Sequence, residues 1–202
     1  MDNLEYRRVM RFEPGDEKRA FLADRGILFL DEINESSSYT MALDLFYMHL
    51  SQANSTIWII LNSPGGEVGH GFAICDAIKA LTSKGKTVNI LGIGYVASMA
   101  TAIMQAGTKR YSFSNTQFLV HQIRQTIPFF KQETEVNEGR ERQQEMDRIN
   151  DIVMKIIADR AGMELVEIKR LSEKKDYWLD AKGAMTFGKK GLIDEVVTEL
   201  PF

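Results

Sequence analysis

The chain has 202 residues, of which 44% are hydrophobic, and this is enough to form one compact domain with a substantial core. A formal net charge of −3 with mixed charge signs argues against a nucleic-acid partner. The single cysteine, Cys75, excludes an internal disulfide and a metal site built on cysteines, and it is typical of a reducing compartment such as the cytoplasm. We expect a charged N-terminal arm at residues 1–24, without a signal peptide, and a single domain at residues 25–202.

Strands and helices are predicted to alternate after the arm, because short apolar runs are followed by turns and then by segments of helical periodicity. Strands are expected at residues 26–29, 56–61 and 88–93, and a fourth is expected to end at His121. The serines at residues 36–38 offer N-caps for a helix after the first strand. This alternation indicates parallel strands with right-handed crossovers, and therefore an α/β domain.

The apolar segment at residues 88–104 is a candidate membrane span, since its length approaches the roughly 20 residues needed to cross a bilayer. Asn89, Gly92, Gly94 and Ser98 interrupt it. A strand that turns into a buried helix explains these interruptions better, so we expect no membrane association.

A long helix is predicted at about residues 131–160, which contain no proline and many Glu, Gln and Arg residues. Isoleucines and a valine recur at helical spacing only in its second half, so its first half is expected to be polar. Such a helix is either a solvated surface helix or one that projects from the domain and meets a partner chain.

Three features that could carry chemistry come directly after predicted strands. They are the turn in "NSPGGEVGHG", Ser98 in "GYVASM", and His121. Ligands bind beyond the carboxyl ends of the strands in open α/β sheets, so these features are expected to meet at one edge. The glycine-rich turn lacks the spacings of phosphate-binding loops, which argues against a nucleotide site.

A serine nucleophile requires a base, a group that orients the base, and N–H donors for the oxyanion. Ser98 lies where a strand ends and a helix begins, a placement typical of hydrolase nucleophiles, with the Met99 amide directed at the developing charge. Gly66 is expected to supply the second donor. The alternative interpretation is that Ser98 has a structural role and only caps the helix.

Of the three histidines, His121 is the best candidate for the general base because it ends a strand at the predicted site. His70, on the glycine-rich turn or the helix after it, is a second candidate base, whereas His49 lies within an apolar helix.

Spacing does not select the orienting acid among the 28 Asp and Glu residues. Asp176 precedes a bulky aromatic pair that could bury it against the sheet. Asp180 has the pattern of a helix N-cap, and Asp194 belongs to a late turn.

Four motifs together resemble the ClpP family, the proteolytic subunit of the ATP-dependent Clp protease. They are "LNSPGGEV", "GYVASM", "HQ" at residues 121 and 122, and "KKDYWLDA" with a terminal "GLIDEV". They occur in the family's order, and the resemblance extends from about Arg25 to Val197. It implies that Ser98 is the nucleophile, His121 the base and Asp176 the orienting acid. It also implies an oxyanion hole formed by the amides at positions 66 and 99.

The resemblance further implies a fold and an assembly. The fold would be the spiral of β-β-α units shared with crotonases, and residues 131–160 would form a protruding handle helix. Family members form seven-subunit rings that stack in pairs into a tetradecamer, with the N-terminal arm on the pore side. A Clp-class ATPase would use ATP to unfold proteins and feed them into the chamber, where a serine endopeptidase cleaves them through an acyl-enzyme. The subunit itself would need no metal or organic cofactor.

The chain departs from the family pattern at positions that bear on assembly and leave the implied triad intact. The stretch "IRQTIPFFKQET" after the "HQ" motif contains no glycine, and Lys174 and Lys175 replace an acidic-Arg pair. Extra residues, including Lys189 and Lys190, precede "GLIDEV", and the N-terminal arm differs from the usual pore-lining segment.

These differences leave open a subunit that works only in a mixed ring with a second ClpP paralogue. Two further hypotheses compete with a serine endopeptidase of the triad type. One is a crotonase-like acyl-CoA enzyme, which would use the same glycine oxyanion hole. The second is a Ser-Lys peptidase, in which His121 would have no role.

Overall fold

The computed structural model describes residues 17–51, 56–123, 136–173 and 176–202. Within them, the strands are β1 (Ile27–Leu30), β2 (Ile57–Ser63), β3 (Val88–Ala97), β4 (Arg110–Phe113), β5 (Gln117–Val120), β6 (Tyr177–Asp180) and β7 (Glu195–Val197). The helices are α1 (Glu17–Ala23), α2 (Glu35–Ser51), α3 (Val68–Thr82), α4 (Met99–Met104), α5 (Val136–Ala161), α6 (Leu165–Ser172) and α7 (Ala181–Met185).

The central sheet has the order β1-β2-β3-β4-β7, and all these neighbours are parallel. The 10-residue strand β3 changes partner along its length, because its first half pairs with β4 and its last three residues pair with β5. The change occurs around Gly94, whose positive φ of 58° suits a glycine and bends the strand. Strand β6 then pairs antiparallel to β5. The predicted α/β class is therefore confirmed.

Apolar side chains cover both faces of the sheet. The main core lies between one face and helices α2, α3, α4 and the second half of α5, and a smaller cluster around Trp58 and Leu91 lies on the other face. Residues 57–61 of β2 are buried without alternation, as expected for a parallel strand that is covered on both faces. The sheet is thus a rigid support for the loops at its carboxyl edge.

Segment 88–104 forms strand β3 and the short helix α4, as predicted. In the part of the chain that the structure describes, no helix is long and apolar enough to cross a membrane. The predicted caps of α2 are wrong, because Asn34 occupies the N-cap position. Its Oδ1 accepts a hydrogen bond from the Ser37 amide at 3.0 Å, and Ser37 Oγ accepts one from the Asn34 amide at 3.0 Å.

Helix α5 has 26 residues and covers the described part of the predicted long helix. Residues 131–135 of that prediction lie outside the described residues. Side chains at 139–148 are exposed or half-buried, whereas Val153, Met154 and Ile157 are buried in the core, so the expected polar first half is confirmed for residues 139–145. Of the predicted arm, residues 1–16 lie outside the described part, and residues 17–23 form α1 with Ala20 and Ala23 buried.

Candidate active site

Ser98 lies between the end of β3 and the start of α4 and has an unusual backbone conformation. Its φ is 58° and its ψ is −125°, and it is the one non-glycine residue with positive φ in the described ranges. Such a conformation persists only where the surroundings enforce it, and it is frequent at functional sites. Ser98 holds the N-cap position of α4, but its side chain makes no capping hydrogen bond. The hydroxyl is therefore not used to cap the helix, contrary to the alternative interpretation that Ser98 is only a helix cap.

The glycine turn after β2 approaches Ser98 at a distance that only glycine permits. Gly65 has a φ of 103°, and a Cβ atom added there would lie 2.6 Å from Ser98 Cβ. The Gly65 amide donates to the buried Ser63 Oγ at 3.1 Å, which fixes the start of the turn. The turn is consequently packed against the backbone that carries the nucleophile candidate.

Gly66 forms a parallel bridge with Ile33 on the opposite side of the turn. The bridge bonds run from the Ile33 amide to the Gly65 carbonyl and from the Glu67 amide to the Ile33 carbonyl, at 3.1 and 2.9 Å. The Gly65 carbonyl and the Gly66 amide belong to one trans peptide group, whose C=O and N–H point in opposite directions, so the Gly66 amide is directed away from Ile33. A Cβ on Gly66 would lie 2.0 Å from the Ile33 oxygen, so no larger residue fits.

His121 follows β5 directly and is half-buried. Its Nδ1 atom lies 2.7 Å from the carbonyl oxygen of Gln122. A carbonyl oxygen only accepts, so Nδ1 carries the proton in this contact and the neutral ring keeps Nε2 as the acceptor. The chain after His121 is anchored by helices, since the Ile123 amide donates to Asn150 Oδ1 at 3.1 Å and Gln122 Nε2 donates to the Lys169 carbonyl at 3.3 Å.

One cavity of about 90 Å³ brings four of the predicted residues together. Its lining includes the polar residues Ser98 and His121 and an apolar wall to which Val153 and Ile157 of α5 belong. The described residues that line it are Gly66, Val68, Ser98, Met99, His121, Ile123, Val153 and Ile157. The two α5 residues were not predicted as part of the site, although their spacing of four placed them on one helix face.

Asp176 does not line this cavity, but it lies close to His121 in register. Strands β5 and β6 are antiparallel, and Val120 pairs with Tyr177. Continuing that register by one residue places Asp176 opposite His121. Asp176 is half-buried and directly precedes β6.

The remaining candidate acids have structural contacts elsewhere. Asp180 caps α7, because its Oδ1 accepts from the Gly183 amide at 2.7 Å, as its sequence pattern predicted. Asp194 forms an ion pair with the buried guanidinium of Arg110 at 2.5 Å. Burial alone would raise the pKa of Asp194, but the hydrogen bonds from Arg110 outweigh this effect and lower the pKa below its usual value.

Neither His70 nor His49 lines the cavity. His70 Nδ1 lies 3.1 Å from Ser38 Oγ, and its Nε2 lies 3.5 Å from a Glu67 carboxylate oxygen. His49 is half-buried on α2, as expected for a packed histidine. Among the described residues, no group of three or more His, Cys, Asp or Glu side chains is arranged to hold a metal ion.

Several of the residues that differ from the family pattern are not among the described residues. Lys174, Lys175 and residues 124–134 of the glycine-free stretch lie outside the described residues. Lys189 and Lys190 are exposed, in the turn between α7 and β7.

Comparison with known proteins connects this site to one family. The family model described as Clp protease matches residues 14–200. The ATP-dependent Clp protease proteolytic subunit 2 of Treponema denticola is 31% identical over 170 residues, which cover 83% of this chain and 80% of that protein. The subunit 2 of Treponema pallidum is 28% identical over 206 aligned positions (95% and 99%), and the proteolytic subunit of Streptococcus mutans is 29% identical over 178 (87% and 86%). The chain therefore belongs to the Clp protease family.

Proposed function

We propose that the chain is a serine endopeptidase that cleaves unfolded polypeptides, with Ser98 as nucleophile and His121 as general base. The observation that carries this proposal is the strained Ser98, whose uncapped hydroxyl shares one cavity with His121 and the glycine turn. A nucleophile on a sharp strand-to-helix turn is a recurrent arrangement in hydrolases.

The proposed reaction begins when Ser98 Oγ attacks the carbonyl carbon of a peptide bond while His121 Nε2 accepts the hydroxyl proton. The carbonyl oxygen becomes an oxyanion, which the amides of Gly66 and Met99 stabilise by hydrogen bonds. The intermediate collapses to an acyl-enzyme when the C–N bond breaks and His121 protonates the leaving amine. A water molecule then repeats these steps, releases the carboxylic acid and restores Ser98.

Asp176 is the proposed orienting acid. The β5–β6 register and its half-buried position support this role. A carboxylate at Nδ1 would favour the tautomer that leaves Nε2 as acceptor and would stabilise the imidazolium that forms during attack. In the structure, the Gln122 carbonyl contacts Nδ1. A carbonyl oxygen and a carboxylate both keep the ring proton on Nδ1. We propose that Asp176 replaces the Gln122 carbonyl at Nδ1, which adds a negative charge beside the ring and leaves Nε2 as the acceptor.

The apolar wall of the cavity suits an aliphatic side chain of the substrate next to the cleaved bond. Val68, Ile123, Val153 and Ile157 are all β-branched and therefore stiff at χ1. An apolar cavity of roughly 150 Å³ is known to hold benzene. The cavity here has about 90 Å³, which supports small aliphatic side chains over aromatic ones.

The proposed assembly is the paired-ring chamber of this family in the cytoplasm, fed by a Clp-class ATPase that consumes ATP. Three relatives are named ATP-dependent Clp protease proteolytic subunits, which supports this assignment. Helix α5 is proposed as the handle, because residues 139–148, which are exposed or half-buried, extend beyond the half that packs in the core. The spiral arrangement of the units is part of the same proposal. The family match argues against an acyl-CoA enzyme and against a Ser-Lys peptidase.

A fluorophosphonate probe tests the nucleophile. We expect it to label the wild type on Ser98, and we expect Ser98→Ala to remove both labelling and peptide hydrolysis. Ser83→Ala, which changes an exposed serine at the end of α3, is the matched control and should keep both. Burial raises the pKa of the Cys75 thiol to about 12, so thiol reagents should leave the native protein active. Labelling that persists in Ser98→Ala would refute the assignment.

A further inference from the structure

One buried hydroxyl connects the strand ends that lead to Ser98 and His121. Thr101 Oγ1 lies 2.9 Å from the carbonyl oxygen of Val96 and 2.9 Å from that of Leu119. Val96 precedes Ser98 by two residues on β3, and Leu119 precedes His121 by two residues on β5. Thr101 has no exposed surface, so these contacts are shielded from water.

The contact is a shared hydrogen bond, because a threonine hydroxyl has one proton and both carbonyl oxygens only accept. Backbone bonds reinforce it at 3.0 Å each. The Ser98 amide donates to the same Leu119 carbonyl, and the Thr101 amide donates to the Ser98 carbonyl. The positive-φ conformation of Ser98 is therefore enclosed by contacts to Thr101 and Leu119.

Helix α4, which carries Thr101, is anchored at its other end by buried polar groups. Gln105 Nε2 donates to the Thr101 carbonyl at 3.0 Å, and Gln105 Oε1 accepts from Arg110 Nη1 at 2.7 Å. Arg110 is 2% exposed, and its Nε atom donates to Asp194 Oδ2 at 3.2 Å. These contacts hold the helix in place, so the Thr101 hydroxyl acts from a fixed position.

We propose that Thr101 is a positioning residue that sets the placement of Ser98 relative to His121. The inference rests on the proposed function, since Thr101 touches neither the cavity nor the reacting atoms. Removing the hydroxyl takes away the donor that links the Val96 and Leu119 carbonyls, leaves the Ser98 amide as the donor to Leu119, and allows the ends of β3 and β5 to shift. A shift of about 1 Å at a catalytic group lowers a rate by roughly 100-fold.

Thr101→Val tests this role, because valine keeps the branched shape and removes the hydroxyl. Thr101→Ser retains the hydroxyl and is the conservative variant. Thr116→Val is the matched control, since Thr116 is 1% exposed and its Oγ1 donates at 3.0 Å to a different β3 carbonyl, that of Gly92. A valine methyl would meet two carbonyl oxygens, so Thr101→Ala is the second variant that lacks the hydroxyl.

The measurements are kcat and KM for a peptide substrate, the rate constant of fluorophosphonate labelling, and Tm. We expect Thr101→Val and Thr101→Ala to lower kcat and the labelling rate by about 10- to 100-fold, with KM changed by less than about twofold. Thr101→Ser should stay within about threefold of the wild type, and Thr116→Val should lose Tm but not kcat.

The results separate a failure of this inference from a failure of the proposed function. If the wild type is labelled and Thr101→Val retains the kcat of Thr116→Val, Thr101 has only a structural role and the inference is wrong. If the wild type is neither labelled nor active, the proposed function fails and the inference falls with it. Loss of activity in Thr101→Ser equal to that in Thr101→Val would also overturn it, because the hydroxyl would then not be the cause.

Discussion

At the residue scale, Ser98 has a free hydroxyl because its backbone does not continue the helix. The side-chain oxygen of a serine at an N-cap position usually accepts a hydrogen bond from one of the first amides of the helix. Here the positive φ and the absence of a capping bond leave the hydroxyl at the cavity. Gly65 permits this arrangement, because any side chain on it would collide with Ser98.

Gly65→Ala should therefore remove most of the proposed peptidase activity while the chain still folds. The added Cβ would lie 2.6 Å from Ser98 Cβ, so we expect kcat to fall by about 100-fold. Gly85→Ala is the control, because Gly85 also has a positive φ, of 82°, but a Cβ there meets nothing within 4 Å. Both variants should lose about 1–2 kcal/mol of stability from left-handed backbone, and Gly65→Ala should lose more than Gly85→Ala because its Cβ also overlaps Ser98. Equal kcat values in the two variants would contradict the close-packing argument.

At the element scale, α2 contains a carboxyl group on its buried face. Asp44 is 4% exposed and lies on the same helix face as the buried Met41, Leu45 and Met48. Burial raises the pKa of Asp44 from 3.8 to about 6, although the positive charge of Arg19 lowers it. The folded protein therefore binds this proton more tightly than the unfolded chain, and stability falls as the pH rises from about 4 to about 6.

Asp44→Asn should raise Tm at pH 7.5 and remove part of the stability loss between pH 4 and 6. The difference in pKa corresponds to about 2–3 kcal/mol at neutral pH, by the relation of 1.36 kcal/mol for each pKa unit. Asp76→Asn, which changes an exposed carboxylate on α3, should alter Tm little. A lower Tm for Asp44→Asn at pH 7.5 would show that the charged form is stabilised in the fold. The measurement is the Tm of the wild type and of both variants, obtained by thermal unfolding at several pH values from 4 to 8.

The elements also show what the sequence could predict. Strands β1, β2, β3 and β5 were predicted because their runs of apolar residues carry a local signal. Strands β4, β6 and β7 have only three or four residues each and form by pairing with strands distant in sequence, so no local pattern marks them.

The candidate site shows the same division. Ser98, His121 and Gly66 could be predicted, because the carboxyl ends of parallel strands meet at one edge. Asp176 required the resemblance, since spacing could not choose among many acids. Thr101 could not be found, because a threonine in "MATAIM" gives no sign of which distant carbonyls it contacts.

At the scale of the whole molecule, the proposed activity depends on assembly. We expect native mass spectrometry of the chain alone to show a tetradecamer of 23.0-kDa subunits that hydrolyses peptides. Two of the relatives carry the name subunit 2, so the competing outcome is a smaller, inactive species that becomes active with a second proteolytic subunit. A mixture of that second subunit with the Ser98→Ala variant of this chain shows which of the two subunits hydrolyses the peptide. Activity that persists in that mixture would show that this chain only completes the ring.

The β5–β6 pairing determines which changes in chain length the proposed His121–Asp176 pair can survive. The register that would bring the two residues together is set by β5 and β6, while the chain between these strands runs through α5 and α6. A change of chain length outside β5 and β6 does not by itself alter the register of these two strands. A single-residue insertion between Asp176 and Tyr177, which pairs with Val120, would instead move Asp176 out of register with His121. The proposed pair therefore depends on chain length at one step, the one from Asp176 into β6.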